Sequence, residues 1–261
     1  MTALRRSLAR ALDPAALARR LGIVLDPWQA EVLRSDGPRL ALVCSRQVGK
    51  TLTCALKATH LALAEPGSLT LIVSPTQRQS DEAFKVVQTL WRALGRPVAE
   101  SADNRRSLEL ESGSRIVSLP GDQGGIRGFS APRLVIVDEA AQVEDDTFNS
   151  ITPMLAASPR GQLLAASSPF GKRGWFYDIA TRPEYGYAVT RIPAPDCPRI
   201  APEFLAAERA RMSDIAFRSE FMCEFVEGAG FLFDPDDIAA LFAPTGRPPF
   251  DPMQPLEISH A

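Results

Sequence analysis

Leu40-Ala41-Leu42-Val43-Cys44-Ser45-Arg46-Gln47-Val48-Gly49-Lys50-Thr51 is the stretch on which the fold turns. Its apolar first half, Leu40 to Cys44, reads as a buried strand that runs straight into a Gly-Lys-Thr loop. Leu52 to Ala64, rich in Ala, Leu and Thr, reads as the helix that follows. A loop of this kind presents backbone N–H groups and a helix N-terminus to phosphate oxygens. A lysine reaches the terminal phosphates and a threonine hydroxyl reaches Mg²⁺. Gly49, Lys50 and Thr51 fit those three tasks, with Ser45, Arg46, Gln47 and Val48 completing a candidate nucleotide-binding loop. The strict pattern has another glycine five positions before Gly49, where this sequence has Cys44. On its own, therefore, the loop supports nucleotide binding and no more.

Further along, Leu134 to Val137 is a second continuous apolar run, and it ends in Asp138-Glu139. This places two carboxylates at the carboxyl end of a central strand, the edge where open α/β sheets bind ligands. Asp138 is the candidate for orienting Mg²⁺, and Glu139 for polarising the attacking water in phosphoryl transfer. The plainer alternative is an aspartate capping the next helix. Leu69 to Val73 and Gln162 to Ala166 are two more apolar runs. Ala83, Val86, Val87, Leu90 and Leu94 give Ser80 to Leu94 a helical period, and Ser107 to Leu110 with Arg115 to Leu119 read as a hairpin about Ser112-Gly113. Continuous apolar strands separated by helices predict an α/β fold with a mainly parallel central sheet, buried on both faces and flanked by helices. The long interval between Thr51 and Asp138 predicts that the Leu69 strand is inserted between the loop strand and the Asp138 strand.

Upstream, Leu4 to Leu12 and Pro14 to Leu21 read as short helices, the second capped by Asp13. Downstream of Ile192 come Pro193, Pro195, Pro198 and Pro202, then a helical Glu203 to Met212 and the stretch Phe217 to Phe225, which together predict a small helical lid subdomain. From Pro244 the chain is proline-rich and expected to be poorly ordered. The expected organisation is an N-terminal helical, adenine-side segment (1–36), a nucleotide-binding core (37–192) and a C-terminal lid subdomain and tail (193–261).

The 261 residues suffice for such a core, and 29 basic against 31 acidic residues leave a formal charge of −2, so any nucleic-acid contact must be a local patch. Cys44, Cys54, Cys197 and Cys223 form no CxxC pair and the only histidines are His60 and His260, which argues against a zinc site or a disulfide framework. The N-terminal arginines precede no signal-like apolar run, and nothing approaches the roughly 20 apolar residues that span a bilayer. The expectation is a cytoplasmic protein with no membrane partner.

Several residues have two readings. Arg127, in Gly124-Gly125-Ile126-Arg127-Gly128, is either an arginine finger on a mobile loop or a solvated turn residue. Arg46 is a second charge neutraliser or a surface anchor. Gln29, in Leu25-Asp26-Pro27-Trp28-Gln29, has an amide suited to the adenine edge, whereas Trp28 reads better as core. Ser167-Ser168-Pro169 is a hydroxyl sensor of the terminal phosphate or a strand-to-turn cap. Lys172-Arg173 beside Trp175 is a DNA contact or a solvated turn. Asp234, Asp236 and Asp237 read as a helix start, and no metal is assigned to them.

With these motifs in order, the chain resembles the ATPase domain of the large terminase subunit, the DNA-packaging motor of tailed bacteriophages and prophages. The resemblance runs from about Leu25 to Phe242 and rests on Pro27-Trp28-Gln29, Ser45 to Thr51, Arg127-Gly128, Val135 to Ala140, Ser167-Ser168-Pro169, Trp175-Phe176-Tyr177 and Ser219-Glu220-Phe221. It implies a P-loop NTPase fold of RecA-like (ASCE) type. It further implies Lys50 and Thr51 on phosphate and Mg²⁺, Asp138 assisting the metal, Glu139 activating water, Arg127 reaching into a neighbouring subunit's site, and Ser167 and Ser168 coupling hydrolysis to the lid. ATP and Mg²⁺ are the implied cofactors. The implied partners are double-stranded DNA, a portal protein, a small terminase subunit and further copies in a ring, in the host cytoplasm. Such proteins normally carry a nuclease domain as well, for which the residues after Phe242 leave no room, so cleavage is not expected of this chain. The rival expectations are a helicase-like translocase and a nucleotide-gated binding or scaffold module with low turnover.

Overall fold

Strands that are apolar along their whole length have no face for water and must lie inside a sheet covered on both sides. In the computed structural model, which describes residues 13–121 and 126–227 except the side chain of Arg127, four such runs occupy the middle of an eight-stranded sheet. The strands are β1 (Arg39–Cys44), β2 (Leu69–Ser74), β3 (Glu100–Asp103), β4 (Ser107–Leu110), β5 (Arg115–Pro120), β6 (Leu134–Asp138), β7 (Gln162–Ser167) and β8 (Ala188–Ile192). Their order across the sheet is β3-β4-β5-β2-β6-β7-β1-β8. From β5 to β8 every pairing is parallel, while β4 pairs antiparallel with both β3 and β5.

The mainly parallel sheet and the hairpin agree with the sequence reading, but one placement does not. The strand standing between β1 and β6 is β7, and β2 lies on the far side of β6. Strand order depends on where each crossover helix passes, and sequential position does not specify that.

Alternation along the strands divides the core in two. Leu40, Leu42, Cys44, Ile72, Leu134, Ile136 and Leu164 face one side, where α1 (Pro14–Arg20), α2 (Pro27–Arg34), α3 (Lys50–Ala64) and α4 (Gln77–Ala93) cover them. Ala41, Val43, Leu71, Val73, Val135, Val137 and Leu163 face the other, under α5 (Asp145–Ala156) and α6 (Gly174–Thr181). Two of these helix starts carry side-chain caps: the Asp13 carboxylate accepts the Ala15 N–H at 3.1 Å to cap α1, as its sequence announces, and the Thr76 hydroxyl accepts the Gln79 N–H to cap α4. Beyond β8, α7 (Pro202–Arg211) and α8 (Asp214–Met222) pack through Phe217 and Phe221 onto Ala194, with Ile200, Leu205 and Met212 alongside. All of these elements belong to one compact unit, Met1–Ala229. The expected helix over Leu4 to Leu12, the Asp234 cluster and the proline-rich tail lie outside the described residues. Among the described residues no helix is long and apolar enough to cross a membrane.

Candidate active site

The loop between β1 and α3 turns through two left-handed residues, Gln47 (φ 60°) and Gly49 (φ 93°), the second being the N-cap of α3. Gly49 is required twice over: a side chain is strained at that φ, and its Cβ would stand 3.0 Å from Gln29 Nε2. Cys44 is the last residue of β1, fully buried and in register with Ile192 of β8. The place where the strict motif has glycine is here still strand, so no glycine is needed there. Buried Ser45 continues the strand pairing, its N–H bonding Ile192 O at 2.9 Å. The first-turn N–H groups of α3 have no intrahelical partner and open onto the loop.

Two carboxylates from the end of β6 meet this helix start. The Lys50 ammonium forms a salt bridge with Glu139 Oε1, and the Thr51 hydroxyl donates to Asp138 Oδ2 at 3.1 Å. Asp138 is 7% exposed. Burial pushes its carboxyl above the ordinary carboxylate range, and the Lys50 charge only partly pulls it back. For Lys50, burial works against the charge, but Asp138 and Glu139 together outweigh it and hold the ammonium above the usual lysine value. Glu139 sits at φ 53°, a left-handed conformation that costs a non-glycine residue of order 1 kcal/mol. This turn starts the short 3₁₀ helix Ala140–Gln142 while the Glu139 side chain reaches Lys50.

The two arms of the loop are braced from elsewhere. Gln29, 2% exposed, accepts the Asp26 N–H at 2.9 Å and donates to the Thr53 hydroxyl at 3.0 Å. Its amide is thus engaged by protein at both ends, so the structure gives this predicted adenine contact a bracing geometry. Trp28 is half-buried against the core, as its sequence reading held. Arg199, which sequence reasoning missed, donates to Val48 O and to Asp26 Oδ1, each at 2.8 Å, and so ties the loop to α2. Arg46 makes a bidentate pair with Glu220 of α8, and the Arg46 N–H bonds Glu220 O at 3.2 Å. Next to Glu220, the Ser219 hydroxyl donates to Pro169 O at 3.0 Å.

Ser167, 1% exposed, ends β7 beside Val43 of β1, and its hydroxyl is buried without a hydrogen-bond partner among the described residues. Ser168 follows, and Pro169 carries the strand exit to α8. Trp175 stacks on Phe148 at 4.1 Å and donates its indole N–H to Val143 O at 2.8 Å, anchoring α6 to the β6 exit. Arg127 lies in the short 3₁₀ helix Ile126–Gly128, whose Ile126 is buried; its side chain and Gly124-Gly125 lie outside the described residues.

A parallel sheet with a Gly-Lys-Thr loop after one strand, and Asp-Glu two strands away across β7, defines a P-loop, RecA-like nucleotide-binding fold. Residues 41–240 match the family described as "Terminase large subunit, T4likevirus-type, N-terminal", and the chain belongs to that family. The large terminase subunit of Thermus virus P23-45 is 28% identical over 249 residues, which is 82% of this chain and 51% of that protein. The chain thus spans about half the length of the curated relatives it matches. Among solved structures, the large terminase ATPase domain of Thermus phage P74-26 superposes with a TM-score of 0.70 at 23% identity, over 80% of this chain and 97% of that one. The large terminase of another thermophilic bacteriophage, in complex with ADP, gives 0.63 at 11% identity, over 77% of this chain and 54% of that one.

Proposed function

We propose that this chain is the ATP-hydrolysing motor region of a large terminase, driving double-stranded DNA into a procapsid. The observation that carries the proposal is the meeting of Lys50 and Thr51 with Glu139 and Asp138 at one sheet edge. It is supported by relatives named as terminase large subunits and by the ADP complex of the thermophilic bacteriophage's large terminase.

On this reading the N–H groups at the start of α3 and the Lys50 ammonium bind the β- and γ-phosphates. The Thr51 hydroxyl and the buried Asp138 carboxylate are hard oxygen donors suited to Mg²⁺, which would supply charge neutralisation on the phosphates when bound. An incoming triphosphate takes Lys50 from Glu139, and the freed carboxylate orients a water for in-line attack on the γ-phosphorus, releasing ADP and phosphate. Arg46 adds positive charge beside the loop, and Arg127 completes the site of a neighbouring copy in a ring. Ser167 and Ser168 report the state of the γ-phosphate to α8 through Pro169. Double-stranded DNA, a portal protein and a small terminase subunit are the partners this function needs, in the cytoplasm of the host.

The test is steady-state ATPase activity across protein concentration, with and without EDTA. Specific activity should rise with concentration, because Arg127 acts in trans, and should vanish with EDTA, in Lys50→Ala and in Glu139→Gln. Undiminished turnover in Glu139→Gln would remove that residue from its role. ATP binding with no turnover at any concentration would make the chain a nucleotide-gated module.

A further inference from the structure

Arg199 stands between β8 and α7, yet one arm of its guanidinium donates to Val48 O and the other to Asp26 Oδ1, each at 2.8 Å. A peptide unit is planar, and in its trans form the C=O and the N–H point in opposite directions. No peptide bond among the described residues is cis. Whatever holds Val48 O therefore also aims the Gly49 N–H, away from Arg199. The next peptide is held in the same way: Gly49 O accepts the Thr53 N–H at 3.1 Å and the Thr53 hydroxyl at 3.0 Å, which turns the Lys50 N–H out of the helix start.

Gly49 is left-handed at φ 93° and Lys50 opens the right-handed α3. Successive residues of opposite hand make their N–H groups converge into an anion-binding concavity. Of the two carbonyls behind it, one is held by α3 itself and the other by Arg199. Glycine is also the residue whose backbone turns most freely, so the Val48–Gly49 peptide has most to gain from an external hold. N–H groups fixed before a ligand arrives cost less ordering when it binds. We infer that Arg199 is a positioning residue of the phosphate site: by holding Val48 O from behind the loop it pre-sets the Gly49 N–H for an oxygen of the polyphosphate, without itself contacting the ligand. The inference rests on the phosphate-loop reading above and adds a residue that the loop motif does not contain.

The experiment is calorimetric titration with Mg-tripolyphosphate, which has phosphates but no base, and separately with Mg-ADP, at a temperature well below melting. The Asp26 side chain is 11% exposed, so Asp26→Asn serves as the reference and no unpaired carboxylate is left when Arg199 is removed. Against that reference, adding Arg199→Met should raise the Kd of both ligands by the same factor, about tenfold, the order of one charge-assisted hydrogen bond. Arg199→Lys in the same background keeps a cationic donor for Val48 O and should recover most of the loss. The Arg199 side chain is 45% exposed, so its truncation leaves the core intact, and melting temperatures check this. A lowered melting temperature with both affinities unchanged would make Arg199 a structural tie alone, and a loss confined to ADP would place it on the base. Either result, or lysine no better than methionine, would overturn the inference. Lys50→Ala should weaken both ligands; a wild-type chain that binds neither would overturn the phosphate-loop reading, and this inference with it.

Discussion

Replacing Gln29 by methionine, which keeps the length of the side chain and removes its hydrogen bonds, separates a brace from a base reader. In the wild type the amide accepts from Asp26 N at 2.9 Å and donates to Thr53 Oγ1 at 3.0 Å. Thr53 Oγ1 keeps its bond to Gly49 O at 3.0 Å after the change, so the hydroxyl is not orphaned. The Asp26 N–H is. Two ordinary bonds contribute about 1 kcal/mol each, and an orphaned, part-buried N–H costs about 1 kcal/mol more. The added apolar burial of the methionine offsets about 1 kcal/mol of this. The expected loss is therefore about 2 kcal/mol, or roughly 4–8 °C in melting temperature for a chain of this size. Urea unfolding monitored by circular dichroism measures it, and a cycle with Thr53→Val should show coupling between the two positions. A loss below about 0.5 kcal/mol, combined with loss of ATP-over-GTP preference, would refute the bracing argument and return Gln29 to the base.

The Arg46–Glu220 pair is partly solvated, with Arg46 63% exposed, so Glu220→Gln should cost at most about 1 kcal/mol of stability. It should tighten nucleotide binding a few-fold, because Arg46 no longer has to leave a partner; weaker binding by titration would count against the pair as a competitor for phosphate. Buried Lys57 donates to Val32 O, Leu33 O and Ser35 O, and burial, reinforced by the Arg133 charge, draws it from 10.5 down to about 8. Between those values the unfolded chain holds more proton than the folded one, so stability rises with pH from about 8 to 10.5 and is fully gained above that window. Relative to Lys57→Met, the wild type should gain up to about 3 kcal/mol across it, and a pH-independent difference in urea midpoints would contradict the depressed value.

The parts of the site that lie close together in the chain were legible. Leu40 to Cys44 and Leu134 to Val137 announce buried strands by composition alone, and Gly49-Lys50-Thr51 and Asp138-Glu139 sit directly at their ends. Strand β8 carried no such signal: its sequence, Ala-Val-Thr-Arg-Ile, lies on the sheet edge and buries only Ile192 fully. Arg199 is a lone arginine among prolines, and only the folded chain brings it to Val48, 151 residues away. The position of β7 between β1 and β6 was likewise invisible, since neighbouring strands in a parallel sheet are chosen by crossover paths. The Asp26–Gln29 contact is a local capping box, whereas the bond of Gln29 to Thr53 comes from tertiary packing of α2 on α3, which a local motif does not encode.

Ser219 and Glu220 are consecutive residues of α8, and one holds the exit of β7 while the other holds the turn after β1. These contacts span 50 and 174 residues of chain, so they close large loops and belong among the late events of folding. Interactions made last by a small peripheral helix are also among the first to open under native conditions. Amide exchange should accordingly find the β1 turn losing protection in the same cooperative step as α8, well before the strands beneath them.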